Sequence, residues 1–209
     1  MGGMENKLLQ FTSRSMGCNG YLVPGPAGYV AVDAPEGFAA WVARTLPAGA
    51  KVAHLLITHQ HFDHVADAAA LQQATGCTVH AAAPFSRELT LELLGGWMEP
   101  VEPFRVDDVL GSAAPHKADW GGLAWEAYPI PGHATDGMAY ALPGAEMVFT
   151  GDILFAGGVG RTDFPGGSMS KLVRGINTHL MALPPHTLVY PGHGPSTSIG
   201  EESLNNPYL

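Results

Sequence analysis

A cluster of histidines directly after an apolar strand constrains the fold of this chain more than any other feature. The run Val52–Thr58 is almost continuously apolar, which predicts a strand buried on both faces. His59, His61, Asp63 and His64 follow it at once, giving four potential metal ligands within six residues. Residues two apart on an extended segment point to the same side, so His59 and His61 share one face. The pattern therefore predicts a metal site at the end of a rigid strand.

Three further candidates follow later predicted strands in the same way. His133, Asp152 and His193 each come one residue after a glycine, a few residues beyond an apolar run; these runs are Ala124–Ile130, Met147–Thr150 and Thr187–Tyr190. Strand ends in a layered α/β architecture gather along one rim, so distant residues at such positions can meet. Glycine lets the backbone bend sharply and approach closely at these points. We therefore expect all three side chains to join the first cluster.

The combined set indicates two cations rather than one. It comprises five imidazoles and two carboxylates, namely His59, His61, Asp63, His64, His133, Asp152 and His193. Such donors suit zinc, iron or manganese, with zinc favoured, whereas calcium prefers oxygen alone. A four-coordinate zinc ion cannot use seven ligands, so one carboxylate is expected to bridge two ions. Ions about 3.5–4 Å apart can share a water, lower its pKa towards about 7 and hold hydroxide for attack.

Composition excludes several other functions. The formal net charge is −9 with no run of Lys or Arg, which disfavours nucleic acid as a partner. No apolar stretch approaches the roughly 18 residues that span a membrane, and Met1–Tyr21 has no secretory pattern. Cys18 and Cys77 lie in no recognisable motif, so we interpret them as reduced thiols of a cytoplasmic protein rather than as a disulfide.

Strands and helices interleave throughout, which predicts one domain over residues 1–209. Extended segments are expected at Lys7–Ser15, Gly20–Pro24, Tyr29–Asp33, Thr78–Ala82 and Met138–Leu142, and helices at Glu36–Leu46, Asp63–Thr75, Pro84–Leu94 and Ser168–Leu183. Two long segments lack periodicity and are predicted as loops, Gly111–Gly122 and Gly157–Gly167. The five other histidines, at positions 54, 80, 116, 179 and 186, show no metal-ligand spacing and are interpreted as packing or surface residues.

The order of these motifs resembles the metallo-β-lactamase fold superfamily. The resemblance rests on Thr58–His64, then His133, Asp152 and His193. It implies an α+β fold, a four-layer αββα sandwich with two mixed β-sheets and a dinuclear site at their edge. It further implies that His59, His61 and His133 bind the first metal. Asp63, His64 and His193 would bind the second, with Asp152 as the bridge.

Shorter motifs narrow the resemblance within the superfamily. Gly160–Phe164 is similar to a loop of glyoxalase II (hydroxyacylglutathione hydrolase) and of persulfide dioxygenases. Gly192–Thr197, Gly200–Glu202 and Asn206–Pro207 resemble short bacterial glyoxalase II-like hydrolases. The β-lactamases of this fold usually carry Cys where Asp152 stands, which disfavours antibiotic hydrolysis. Glyoxalase II, which the chain resembles, has a C-terminal helical domain that helps hold glutathione, and no such domain is expected in the 16 residues after His193, so the thiol of the substrate is left open.

The function expected from these features is hydrolysis of a small-molecule thioester, such as an S-2-hydroxyacyl thiol. A metal-bridging hydroxide would attack the carbonyl carbon, with Asp63 and Asp152 as catalytic residues and Asp63 orienting the nucleophile. Arg161 would bind a substrate carboxylate; an ion pair with Asp163 that orders the loop is the other interpretation.

Two alternatives remain open from the sequence. One is an oxidoreductase of the persulfide dioxygenase kind, with a single iron held by His59 or His61, His133 and Asp152. The other is a metal-binding domain without catalysis. The same seven residues serve each interpretation, and oligomeric state is not predicted.

Overall fold

The computed structural model describes residues 7–92 and 100–209. The first half forms strands β1 (Leu9–Thr12), β2 (Asn19–Val23), β3 (Tyr29–Val32), β4 (Val52–Leu56), β5 (Thr78–Ala81) and β6 (Asp108–Val109), with helices α1 (Phe38–Thr45), α2 (Phe62–Val65), α3 (Ala68–Thr75) and α4 (Arg87–Thr90). The second half forms β7 (His116–Trp120), β8 (Leu123–Pro129), β9 (Met138–Leu142), β10 (Met147–Gly151), β11 (Leu154–Phe155), β12 (Gly158–Val159), β13 (Leu188–Pro191) and β14 (Thr197–Ser198), with helices α5 (Met169–Gly175) and α6 (Ile199–Asn205).

Most of these strands belong to two six-stranded sheets. One sheet has the order β1-β2-β3-β4-β5-β6, and the other has the order β14-β13-β10-β9-β8-β7. In the first sheet β1 to β3 pair antiparallel, whereas β3, β4, β5 and β6 pair parallel. In the second sheet only β10 and β13 pair parallel. Both sheets are therefore mixed, as the resemblance implied.

The hydrophobic core lies in three layers because both sheets are covered on both faces. Along β2, Leu22 packs with α1 and α3, whereas Tyr21 and Val23 face the other sheet. Behind the second sheet, Val148 packs against Leu172 of α5. Strands buried on two sides read as continuous apolar runs, which is why the central strands were predictable. The layers confirm the predicted αββα sandwich.

The segment predicted as the loop Gly111–Gly122 contains strand β7, so that prediction was wrong. Residues 116, 118 and 120 turn towards the core, while Lys117 and Asp119 are exposed. The alternation is that of a half-buried antiparallel strand, but its short polar sequence carries too little apolar signal to be recognised.

Three predicted helices differ from the observed ones. The predicted helix Asp63–Thr75 divides into α2 and α3, because the Asp67 N–H donates to the Ala34 carbonyl (2.9 Å) where the loop after β3 packs against it. The described part of Pro84–Leu94 contains α4, which Leu91 ends with a φ of 56°; residues 93 and 94 lie outside the described residues. The predicted helix Ser168–Leu183 is α5 followed by a π-helical turn at Ile176–Leu180.

Helices in the described part of the chain are too short or too polar to cross a membrane.

Candidate metal centre

The ends of four strands place the predicted ligands at one edge of the two sheets. His59 and His61 follow β4, His133 follows β8, and Asp152 and His193 follow β10 and β13. Strands β8, β10 and β13 run in one direction, so their carboxyl ends meet at the same edge. The Met138 N–H of β9 donates to the Thr58 carbonyl (2.7 Å), which joins the end of β4 to the second sheet.

Glycine is required where these strand ends approach one another most closely. A Cβ atom at Gly192 would lie 2.5 Å from both Asp152 Oδ1 and His64 Cε1. Gly151 has a φ of 48°, and a Cβ atom there would lie 2.3 Å from Thr58 Oγ1. The close approach that the sequence predicted for the glycine before His193 is therefore confirmed.

The predicted ligands converge in two adjacent groups. One ligand atom from each of His59, His61 and His133 lies within 4.8 Å of the others, as do atoms of Asp63, His64 and His193. His193 Nε2 is 3.1 Å from Asp63 Oδ2. All seven sequence-predicted ligands thus lie at one centre.

Asp152 lies between the two groups and presents one oxygen to each. Its Oδ1 is 3.2 Å from His64 Nε2 and 3.7 Å from His193 Nε2. Its Oδ2 is 3.5 Å from His133 Nε2. A carboxylate in this position could contact a cation with each oxygen.

A buried hydrogen-bond network orients two of the imidazoles, and sequence reasoning missed its central residue, Asp33. The carboxylate of Asp33 accepts from His64 Nδ1 (2.8 Å), Thr58 N (2.8 Å) and Thr58 Oγ1 (2.7 Å). Because the Thr58 hydroxyl donates to Asp33, it accepts from His59 Nδ1 at 3.2 Å. The network therefore turns the Nε2 lone pairs of His59 and His64 towards the centre.

A main-chain carbonyl orients the third imidazole. His133 Nδ1 donates to the carbonyl of Arg161 (2.8 Å), which leaves Nε2 of His133 as the acceptor atom facing the centre. Arg161 thus acts on the site through its backbone, a role that its side-chain chemistry gave no means to predict.

The chemistry of this centre fits divalent cations. His59 Nε2, His64 Nε2 and Asp152 Oδ1 are buried and have no hydrogen-bond partner among the described residues. Buried polar atoms without partners cost free energy, so convergent lone pairs of this kind are stabilised by a bound cation. Imidazole and carboxylate donors together match zinc, iron and manganese.

The histidine pKa values are shifted in different directions in the two groups of ligands. Burial, together with neighbouring imidazoles, lowers the pKa of His59 well below its ordinary value and that of His61 to about 3. These rings are neutral at pH 7, which is the form that binds a cation. Burial opposes charge on His64 too, but the carboxylates of Asp152, Asp63 and Asp33 help raise its pKa well above the ordinary value. Binding of a cation at Nε2 requires the neutral form of His64, in which Nδ1 donates to Asp33.

Comparison with known families agrees with this geometry. Residues 20–193 match the family model described as the metallo-beta-lactamase superfamily. The chain belongs to this superfamily. Its members bind divalent metals and are generally hydrolytic enzymes.

Two curated relatives share a third of their aligned residues with this superfamily member. It is 33% identical over 161 residues to the probable metallo-hydrolase YqgX of Bacillus subtilis, and 74% of each chain is covered. It is also 33% identical over 164 residues to the hydroxyacylglutathione hydrolase GloC of Haemophilus influenzae, again with 74% of each chain covered.

Solved structures with the same fold belong to proteins with different names. BLEG-1, a B3 metallo-beta-lactamase, has a TM-score of 0.86 at 26% identity, covering 97% of this chain and 99% of that one. TTHA1623 in a di-iron-bound form has a TM-score of 0.80 at 31% identity, covering 96% and 100%. ETHE1 from Myxococcus xanthus has a TM-score of 0.78 at 28% identity, covering 96% and 83%.

A cavity of about 550 Å³ opens onto the metal centre of this superfamily member. Besides five of the predicted ligands, its walls are Met16, Phe62, Leu91, Phe155, Arg161 and Phe164. The wall is therefore mainly apolar, with Arg161 as the basic residue among these.

The C-terminal motif supports the loop that forms one wall of this cavity. The buried carboxylate of Glu202 accepts from Gly157 N (2.9 Å), Thr197 Oγ1 (2.7 Å) and Asn206 Nδ2 (2.7 Å). Asn206 Nδ2 also donates to the Gly158 carbonyl (3.1 Å). The motif that resembled the short glyoxalase II-like hydrolases thus fixes the β11–β12 turn.

Replacing Glu202 should therefore destabilise the protein. We expect Glu202→Ala to lower the free energy of unfolding by about 3 kcal/mol, because it leaves buried donors without an acceptor. Urea unfolding measures the change. The exposed neighbour Glu201 is the matched control, and Glu201→Ala should change stability by less than about 0.5 kcal/mol. Equal effects of the two variants would contradict this role for Glu202.

Asp136 makes stability depend on pH near the metal centre. Burial raises the pKa of this carboxyl to about 6, and its Oδ2 accepts from Gln60 N (3.0 Å). A carboxyl whose pKa is raised in the folded state contributes stability below its unfolded pKa of about 3.9, and this is lost as pH rises through about 6.

We expect this loss to be absent in Asp136→Asn. Between pH 4 and pH 7, chelator-treated wild-type protein should lose about 2 kcal/mol of stability relative to the variant. Urea unfolding at a series of pH values measures the difference, and parallel pH profiles of the two proteins would contradict it.

Proposed function

We propose that this superfamily member hydrolyses small-molecule thioesters, of which S-2-hydroxyacyl thiols are the leading class, with two divalent cations. Zinc is the first choice of metal, and iron or manganese are the alternatives. The placement of Asp152, with one oxygen towards each histidine group, carries the proposal for two cations. Similarity to the hydroxyacylglutathione hydrolase GloC supports the thioester class.

His59, His61 and His133 would hold one cation, while Asp63, His64 and His193 would hold the other, with Asp152 shared. When bound, the cations supply Lewis acidity, which lowers the pKa of a coordinated water and stabilises negative charge on an acyl oxygen. The residues of the chain provide orientation and proton transfer around this chemistry.

Asp63 is placed to orient the attacking water and to accept its proton. Its carboxylate lines the cavity, and His193 holds it at 3.1 Å. Burial opposes ionisation of Asp63, but His64 and His193 lower its pKa overall, which keeps the carboxylate ionised and able to accept a hydrogen bond. The thiol part of a thioester is a good leaving group, so protonation of the leaving atom needs no separate acid near pH 7.

The apolar cavity wall supports a substrate with a hydrocarbon portion. Phe62, Phe155 and Phe164 would cover such a group and exclude water from the acyl carbon. This wall, with the single basic side chain of Arg161, favours a small thioester over a highly charged ligand.

A substrate panel tests the proposal directly. Metal-loaded protein is assayed against S-lactoyl thioesters of several thiols, and against a phosphodiester, a lactone and a β-lactam. We expect release of free thiol, detected with a thiol reagent, to exceed turnover of the other substrates. Faster turnover of the β-lactam, phosphodiester or lactone would reject thioesters as the substrate class, while the protein would still be a hydrolase.

A second candidate is an iron-dependent oxidoreductase of the persulfide dioxygenase kind. The similarity to TTHA1623, which holds two irons, favours iron as a metal this fold can hold, and the loop Gly160–Phe164 supports the resemblance to persulfide dioxygenases. Iron at one atom per chain, together with thiol-dependent oxygen uptake, would favour this candidate over the hydrolase.

Arg161 would contribute to substrate charge selection. Its guanidinium donates to Asp163 from Nε (2.6 Å), and its Cζ lies 4.5 Å from the centre of the Phe164 ring. The ion-pair interpretation therefore describes this structure, with Arg161 still at the cavity wall.

We expect Arg161→Ala to raise KM about fivefold for a thioester that carries a carboxylate, because an exposed charge pair is weak. KM for an uncharged thioester and kcat for both should stay unchanged. Steady-state kinetics on the matched substrates measure this. An equal rise in KM for the two substrates would show that Arg161 only orders the loop and does not bind the substrate carboxylate.

A further inference from the structure

Cys18 lies at the metal centre although its sequence context carries no metal-binding motif. Its Sγ atom belongs to the same convergent group as ligand atoms of Asp63, His64 and His193, all within 4.8 Å of one another. The residue is fully buried, in the turn between β1 and β2. A thiol at this distance from three candidate ligands can act as a further ligand beside Asp152.

The backbone around Cys18 is fixed against the strand end that carries His193. Cys18 forms an isolated β-bridge with His193, and the Asn19 N–H donates to the Gly192 carbonyl (2.7 Å). Asn19 Nδ2 donates to the carbonyls of Pro191 and Gly194, both at 3.1 Å. The position of the thiol is thus built into the structure rather than set by a free loop.

A second observation, independent of the thiol, points to a ligand at the same place. His64 is fully buried, its Nδ1 is held by Asp33, and its Nε2 faces the group without a hydrogen-bond partner among the described residues. The thiol itself makes one weak contact, donating to the Asn19 carbonyl at 3.8 Å. Asp152 Oδ1 lies 3.2 Å from His64 Nε2, and it too has no hydrogen-bond partner among the described residues.

We propose that Cys18 supplies a sulfur ligand to the cation held by Asp63, His64 and His193. On binding, the S–H bond breaks, the proton passes to solvent, and a sulfur lone pair forms the bond to the cation. No electron is transferred, so no oxidant or reductant is required. The site then has mixed nitrogen, oxygen and sulfur donors, which favours zinc over the harder manganese ion.

X-ray absorption of the zinc-loaded wild-type protein tests this without any substitution. We expect a sulfur scatterer at about 2.3 Å, distinct from nitrogen and oxygen scatterers at about 2.0–2.2 Å. The cobalt-loaded protein should show sulfur-to-cobalt charge-transfer absorption in the near ultraviolet. Only nitrogen and oxygen scatterers at two zinc ions per chain would overturn the proposal.

Two serine variants assign the sulfur. Cys18→Ser should abolish the charge-transfer band and weaken binding of one zinc equivalent by about tenfold or more. Loss of a group that only hydrogen-bonds to a ligand already lowers metal affinity by about tenfold, and loss of a direct ligand should cost at least as much. Cys77 is the matched control, since it is also buried but packs in the core beneath α1 and α3. Cys77→Ser should keep the band and both equivalents, and a band that persists in Cys18→Ser would overturn the proposal.

This inference rests on metal binding and not on the thioester class. Absence of thioester turnover with the sulfur scatterer present would reject the proposed function alone. Thioester turnover with no sulfur scatterer would reject Cys18 as a ligand alone.

Discussion

Asp152→Ala is expected to reduce hydrolysis by at least about 10³-fold, equivalent to about 4 kcal/mol of transition-state stabilisation. The same variant should retain fewer than two cations per chain. Both effects have one physical reason, since a single carboxylate faces His64 with Oδ1 and His133 with Oδ2. Metal analysis after exhaustive dialysis, followed by kinetics at saturating metal, measures the two effects separately.

Asp136→Asn is the control for this prediction. Asp136 is another buried carboxyl near the centre, but it binds the backbone of Gln60 and belongs to neither convergent group. We expect this variant to keep both cations. Full activity and two cations in Asp152→Ala would reject the bridging role and the proposed hydrolytic site with it.

Asp33→Ala is expected to have the largest effect on stability. The carboxylate accepts three buried hydrogen bonds from Thr58 and His64, and its removal leaves these donors unpaired. Breaking a buried charged network of this kind costs about 3–5 kcal/mol. Metal affinity should also fall about 10–100-fold, because His59 and His64 lose the contacts that set their orientation.

The matched control for Asp33 is Asp67, which lies at the junction of α2 and α3. Its carboxylate accepts from Ala39 N (2.9 Å) and contacts no predicted ligand. We expect Asp67→Ala to cost about 1 kcal/mol, as loss of one hydrogen bond to the first turn of a helix would, and to leave metal affinity unchanged. Urea unfolding with chelator and zinc titration measure the two quantities; a normal zinc affinity in Asp33→Ala would contradict the orienting role.

The ligands were predictable because each carries a local signal. His59, His61, Asp63 and His64 lie in one short segment, and a dense cluster after an apolar strand is recognisable without any tertiary information. His133, Asp152 and His193 lack such density, and the strand–glycine–ligand pattern was enough to bring them into the set. The structure places them together because parallel strand directions bring those ends to one edge.

Asp33 had the same signal as the later ligands, since it directly follows an apolar strand, but no glycine or histidine marked it. Its function depends on Thr58 and His64, which are more than 20 residues away along the chain. Hydrogen bonds between residues so far apart in the sequence depend on the pairing of β3 with β4, which local sequence patterns do not reveal.

The positions of Cys18 and of the Arg161 carbonyl are even harder to predict from the sequence. Every residue type has the same backbone carbonyl, so the identity of residue 161 does not indicate that its carbonyl orients His133. Cys18 reaches the centre because its turn pairs with the strand end at His193, some 175 positions later. Side-chain chemistry and periodicity thus specify which groups can bind metal and which faces are buried. Long-range pairing of strands specifies which of those groups meet, because that depends on sheet order and direction rather than on any local run of residues.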